Sequence, residues 1–166
     1  SVCSPSRATY FTGLIPSQHG VHCYLGGEKP DAQMGPGAYS TVAEFDTLSG
    51  TLSEAGYKCG LSGKWHLGDS LKPQEGFTYW FNRPKGHTSM FYDDELIWDG
   101  EVYTEPRYTT EVITEHALDF LANARQDPFF LYVAYNGPYG LGQSMTSVHK
   151  NRHTDFYAGK ELASFP

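Results

Sequence analysis

Five residues near the start of the chain, Cys3-Ser4-Pro5-Ser6-Arg7, join a thiol, a proline and a guanidinium at a spacing that suits an anion. Proline is tolerated in the first turn of a helix, where its missing N–H costs nothing. The motif therefore predicts a helix opening at about Ser4, with Cys3 at its mouth and Arg7 one turn further along the same face. First-turn N–H groups, the positive end of the helix dipole and a guanidinium would then converge on one negative group. Taken alone, the five letters also fit a small buried thiol, the usual state of a lone cysteine.

A second such group is Gly63-Lys64-Trp65-His66-Leu67-Gly68. On a continuing strand, Lys64 and His66 project from one face and Trp65 from the other. A point charge and an imidazole would meet one anion there. The alternative is a strand edge with two solvated polar residues.

The elements around these residues follow a helix-then-strand rhythm. The signature helix runs to about Thr12 and closes at Gly13. Ser17 to Gly20 reads as a turn, and Leu25 to Tyr39, rich in Gly and Pro, as an ordered surface loop that scaffolds substrate contacts. Asp46 is the expected cap of a helix from Thr47 to Ala55, and a strand from Tyr57 to about Ser62 delivers the chain to Lys64. Phe77 to Tyr92 shows no periodicity. Asp99-Gly100 marks a hairpin within Glu95 to Tyr103. The longest helix is expected from Tyr108 to Arg125, with Ile113, Ala117, Phe120, Leu121 and Ala124 on its apolar face. The run Phe129 to Tyr135 fits a strand covered on both faces, as in a parallel sheet, which makes the domain α/β.

The 166 residues suffice for one domain with a sizeable core. Twelve Lys and Arg against 19 Asp and Glu leave a net charge of −7, so no basic surplus exists to neutralise nucleic-acid phosphates. No apolar run approaches the length of a bilayer span. Twelve tyrosines suit a core plus a cleft that stacks on rings, though ordinary packing accounts for most of them. Cys3, Cys23 and Cys59 make an odd count; if Cys3 is chemically converted, the other two either pair or remain separate buried thiols.

The stretch CSPSRATYFTGLIPSQHG resembles the first signature of the type I sulfatases, and GYKCGLSGKWHLG resembles the second, in the family's order and at a comparable distance. The strand PFFLYVAYN is a third match. The resemblance covers roughly residues 1 to 139. It implies an alkaline-phosphatase-like α/β sandwich, with a largely parallel central sheet flanked by helices, of which residues 1–166 are part. The family's first strand, with its metal-binding Asp-Asp pair, and its C-terminal portion are expected outside this sequence.

The resemblance further implies that Cys3 is the precursor of formylglycine, the nucleophile and one ligand of a divalent cation, calcium or else magnesium. Arg7 would steady the hydrated aldehyde, Lys64 would bind the sulfate, and His66 would hydrogen-bond the formylglycine hydroxyl. The implied partners are a sulfated small molecule or glycan and a formylglycine-generating or equivalent maturation enzyme. Family habit points to the periplasm, the cell exterior or the lysosome. Two other readings stay open: a phosphonate or phosphate ester hydrolase of the same superfamily, and a non-catalytic sulfatase-like piece.

Where the family usually has Asn-x-Pro-His, this chain has Asn136-Gly137-Pro138-Tyr139. Three explanations stand. Tyr139 takes over the contact to the leaving oxygen, another histidine such as His87, His149 or His153 moves in, or the substrate needs less acid assistance. His149 and His153, four apart, are either metal ligands on one helix face or part of a polar surface helix. Asp93-Asp94 reads as a solvated turn or a substrate rim, and His19 and His22 as structural.

Overall fold

A computed structural model describes residues 2–26, 30–86, 90–137 and 151–161. The elements in chain order are α1 (Cys3–Thr12), α2 (Pro16–His19), α3 (Leu48–Glu54), β1 (Lys58–Gly63), β2 (Tyr79–Phe81), β3 (Asp94–Trp98), β4 (Glu101–Glu105), α4 (Thr109–Ala124) and β5 (Phe129–Ala134). A last helical turn spans Thr154–Tyr157.

β1 is the centre of a three-stranded sheet ordered β2-β1-β5, with both pairings parallel; Leu61 faces Trp80 on one side and Tyr132 on the other. Strand alternation sends Cys59 and Leu61 to one face and Gly60 and Ser62 to the other. Cys59 and Leu61 enter a cluster with Ala8 and Phe11 of α1, Val42, Trp65, Leu67, Phe77 and Trp80. On the opposite face lies α4. The Phe120 ring packs so close to Gly60 that a Cβ there would stand 2.6 Å from it, and Ser62 Oγ donates to the Ile113 carbonyl at 2.7 Å. Helices thus cover both faces of a parallel sheet, as the apolar runs predict.

Several expectations need correction. Thr47, not Asp46, caps α3: its hydroxyl accepts from Gly50 N at 3.1 Å. The segment without periodicity contains β2, a strand too short to show alternation. Ser17 to Gly20 is mostly a helical turn, α2, closed by Gly20 at φ 75°. β5, at one side of the β2-β1-β5 sheet, is only half-buried along most of its length, and Phe129 is exposed. Its apolar composition answers to helices on its faces rather than to strands on both edges. The β3–β4 hairpin turns at Asp99 and Gly100 as expected, both at positive φ, 52° and 77°, which suits a primed turn.

Asp93-Asp94 departs furthest from expectation. Asp93 is exposed, but Asp94 is 4% exposed and grips Arg83, with Nη1 to Oδ2 at 2.6 Å and Nη2 to Oδ1 at 2.7 Å. Thr109 Oγ1, at the start of α4, donates to the same carboxylate at 3.3 Å. Burial outweighs the guanidinium and raises the Asp94 carboxyl above the ordinary range, while burial lowers Arg83.

Candidate active site

Cys3 is the first helical residue of α1. The preceding Val2 is extended and supplies no side-chain cap, and the first turn carries no acidic residue. The positive end of the helix is therefore left unneutralised by α1's own side chains, directly at the thiol. Pro5 lies in this first turn, as predicted, and Gly13 closes the helix at φ 71°, its N–H bonded to Thr9 O at 2.9 Å. Cys3 is half-buried and lines a cavity of about 330 Å³ with Ser6, Arg7, Tyr10 and Tyr132.

Arg7 turns toward the sheet. Its Nη1 donates to the Lys64 carbonyl at 2.5 Å and to the Tyr132 hydroxyl at 3.0 Å, and its guanidinium carbon stands 5.8 Å from the Tyr132 ring centre. Tyr132 is on β5 and Lys64 directly follows β1. One guanidinium therefore joins the helix to two strands.

Lys64 is 5% exposed. Burial lowers its ammonium below the ordinary lysine range; attraction to Cys3 and a hydrogen bond with its side chain act in the opposite direction, and Arg7 and Arg83 push it further down. The Lys64 and Cys3 side chains thus lie within hydrogen-bonding reach of each other. The backbone is set by Gly63, at φ 111°, where a Cβ would lie 2.1 Å from the Ala134 carbonyl oxygen, and by Lys64 N, which donates to that oxygen at 2.9 Å.

His66 does not share a strand face with Lys64. β1 ends at Gly63, and His66 sits at φ 63°, in the left-handed region. The chain turns sharply here because Trp65 dives into the core: it is fully buried, its N–H bonds Asn82 Oδ1 at 3.3 Å, and its indole N–H meets Gly68 O and Gln74 Oε1. His66, also buried, has its Nε2 2.7 Å from the Leu25 carbonyl. A carbonyl only accepts, so Nε2 carries the proton. Leu25 N in turn donates to Ser4 Oγ at 3.1 Å, which ties the imidazole to the first turn of α1. The first residue of the Gly- and Pro-rich loop thus links His66 to α1.

Cys3, Arg7 and Lys64 are therefore brought together, and His66 is linked to them through Leu25 and Ser4. His87, Tyr139 and His149 lie outside the described residues. His153 is exposed beside Arg152, whose Nε lies 3.2 Å from its ring. His19 is buried and structural, bonded to Thr9 Oγ1 and to Val21 N, whereas His22 is exposed. Cys59 is buried and Cys23 exposed, and neither is in a disulfide. Sequence reasoning missed Arg83 and Gln33, both buried polar residues around this site; isolated polar letters in irregular segments carry no periodic signal. Among the described residues no group of three or more His, Cys, Asp or Glu gathers to hold a metal, so these residues do not by themselves make up the implied cation site. No helix of the described residues is long and apolar enough to cross a membrane.

Cations collected at the C-terminal end of a parallel strand, facing a helix N-terminus, make an anion-handling α/β unit. Comparison with known proteins narrows the class. The chain belongs to the sulfatase family, whose model matches residues 1–163. It is 32% identical over 204 residues to the N-acetylgalactosamine-6-sulfatase of Mus musculus, an alignment covering 98% of this chain and 37% of that protein. Among solved structures, Ps i-CgsB in complex with k-i-k-neocarrahexaose matches with a TM-score of 0.69 at 25% identity, over 95% of this chain and 40% of that one. BT4656 in complex with D-glucosamine-2-N,6-O-disulfate matches at 0.61 and 28%, over 84% and 25%. The chain thus spans well under half of each of these proteins.

Proposed function

We propose that residues 1–166 form part of the catalytic domain of a sulfatase that hydrolyses sulfate esters of a glycan. The observation that carries this reading is the contact of Lys64 with Cys3 at the start of α1, braced by the Arg7 bond to the Lys64 carbonyl. The family membership and the carbohydrate ligands named for the two solved relatives support a glycan substrate.

In this reading a maturation enzyme with an external oxidant converts Cys3 to formylglycine; one hydroxyl of its hydrate attacks sulfur as the ester S–O bond breaks and the glycan leaves as the alcohol, and deprotonation of the second hydroxyl expels sulfate and restores the aldehyde. The half-buried Cys3 side chain, facing a cavity, leaves room for that replacement. The Lys64 ammonium, desolvated and held by its backbone, binds the sulfate oxygens and offsets charge that builds on them. The first-turn N–H groups of α1 and its dipole act on the same charge. Arg7 holds the Lys64 backbone and keeps its positive charge near the site. His66, with Nε2–H donated to Leu25 O, has Nδ1 as its accepting nitrogen, the atom suited to take a hydroxyl proton. His87 and Tyr139 remain proposed substrate contacts. A maturation enzyme acting on Cys3 and a periplasmic, extracellular or lysosomal setting belong to the same reading.

The test is turnover of an aryl sulfate against the matching phosphonate ester by the full-length enzyme, with the mass of the peptide holding position 3. Faster sulfate turnover, loss of activity in Cys3→Ala, and an aldehyde in place of the thiol are expected. Faster phosphonate turnover, or an unmodified thiol in active protein from its native source, overturns the reading.

A further inference from the structure

The His66 ring is clamped by two segments distant from it in the chain. Leu25 O receives the Nε2–H at 2.7 Å. Gly86 lies against the ring so closely that a Cβ there would stand 1.8 Å from its Cδ2 and Cγ. Both contacts come from irregular backbone, which needs an external anchor to hold a ring in one orientation. Gln33 supplies one. It is 2% exposed, its Oε1 accepts from Gly86 N at 2.9 Å, and its Nε2 reaches the Leu25 carbonyl at 3.5 Å. Its own backbone is pinned by Ser70 N, which donates to Gln33 O at 2.7 Å.

We infer that Gln33 is a positioning residue for His66: by holding Gly86 against the ring and steadying Leu25, it fixes the imidazole as the Nε2–H tautomer with the lone pair on Nδ1. An amide suits this place. Its oxygen takes the Gly86 N–H, its nitrogen meets a carbonyl that already accepts from His66, and it brings no charge into a buried site. The 2.9 Å bond to Gly86 is the stronger of the two and carries the brace. The catalytic consequence rests on the proposed role of His66; the tautomer itself does not.

The test uses the full-length enzyme labelled with ¹⁵N-histidine, the His66 signals being assigned by their loss in His66→Ala. Gln33→Met keeps the volume and removes both hydrogen bonds, whereas Gln33→Glu keeps the oxygen that accepts from Gly86. In Gln33→Met the His66 nitrogens are expected to move from the pure Nε2–H pattern toward tautomer averaging. Its kcat on an aryl sulfate is expected to fall about tenfold with KM within about twofold, since misplacing a reacting group costs rate more than binding. Gln33→Glu is expected to keep the parent nitrogen pattern. A folded Gln33→Met with the parent pattern overturns the inference, whether or not kcat falls. If Gln33→Met does not fold, Gln33→Asn, whose shorter amide does not reach Gly86 N, decides in its place: tautomer averaging there supports the inference and the parent pattern overturns it. Should the parent enzyme turn over no sulfate ester, the proposed function fails while the nitrogen signals still decide the brace.

Discussion

Arg7 Nη1 donates to the backbone carbonyl of Lys64 at 2.5 Å, so the guanidinium of the first motif holds the main chain of the second. The same nitrogen reaches the Tyr132 hydroxyl on β5. Arg7→Ala leaves both acceptors unmatched. It is expected to lower stability by about 1–3 kcal/mol in urea unfolding and kcat/KM of the intact enzyme by about a hundredfold. Arg7→Lys should recover little, because the lysine side chain is one bond shorter and its ammonium stops short of the position that Nη1 takes between the two acceptors. Tyr132→Phe removes one of the two bonds and should cost about 1 kcal/mol.

Lys64 makes a pH prediction whose sign follows from burial, the first cause of its lowered ammonium value. Between that lowered native value and the ordinary one of about 10.4, the unfolded chain binds more protons than the folded one. The Lys64 contribution to stability is therefore complete above the ordinary value and is lost as pH falls through the native one. Lys64→Met should flatten this part of the stability profile. In the intact enzyme, substrate binding should weaken on the alkaline side at a pH below that of an ordinary lysine, read as a rise in KM.

Gly63 leaves no room for a side chain. Gly63→Ala would place Cβ 2.1 Å from the Ala134 carbonyl oxygen at a φ of 111°. Overpacking against backbone and the positive φ together should cost about 3 kcal/mol or more, measured by chemical denaturation.

The Arg83–Asp94 pair is buried on both sides, at 6% and 4% exposure. Asp94→Ala should destabilise by about 3–5 kcal/mol, since it strands a buried guanidinium. The double variant Arg83→Met with Asp94→Leu should recover much of that loss, because both desolvation costs disappear together. Thermal unfolding of the three proteins checks the order: Asp94→Ala below the double variant, and both below the parent.

Cys59 gives a chemical check on the core. Burial raises its thiol above the ordinary range, and its Sγ lies 3.5 Å from the Ser49 carbonyl. A thiol reagent should label Cys23 in the native protein and Cys59 only after unfolding, as followed by peptide mass.

Much of the fold was legible because the signals were periodic. The Phe120 face of α4, the Asp99-Gly100 turn, the Gly13 stop of α1 and the apolar β5 all follow from patterns repeated within a few residues. The errors fell where the pattern was short or absent. β2 spans only Tyr79–Phe81, and the Thr47 cap competed with an adjacent aspartate equally suited by type. Asp94 looked like one of two solvated carboxylates because its guanidinium partner is eleven positions away in an irregular segment.

The opening pentapeptide and the Lys64–His66 segment set by themselves which side chains gather and at what element ends, since residue type and local spacing place a thiol at a helix mouth and a lysine at a strand end. Only the tertiary structure decided how they meet. The fully buried Trp65 pulls the chain out of strand geometry, His66 leaves the face of Lys64 at φ 63°, and its partner becomes the carbonyl of Leu25. The reason is physical: burying an indole ring in the aromatic core is a long-range gain that outweighs the local preference for extended backbone, and no local pattern records which distant loop will be there to receive the imidazole.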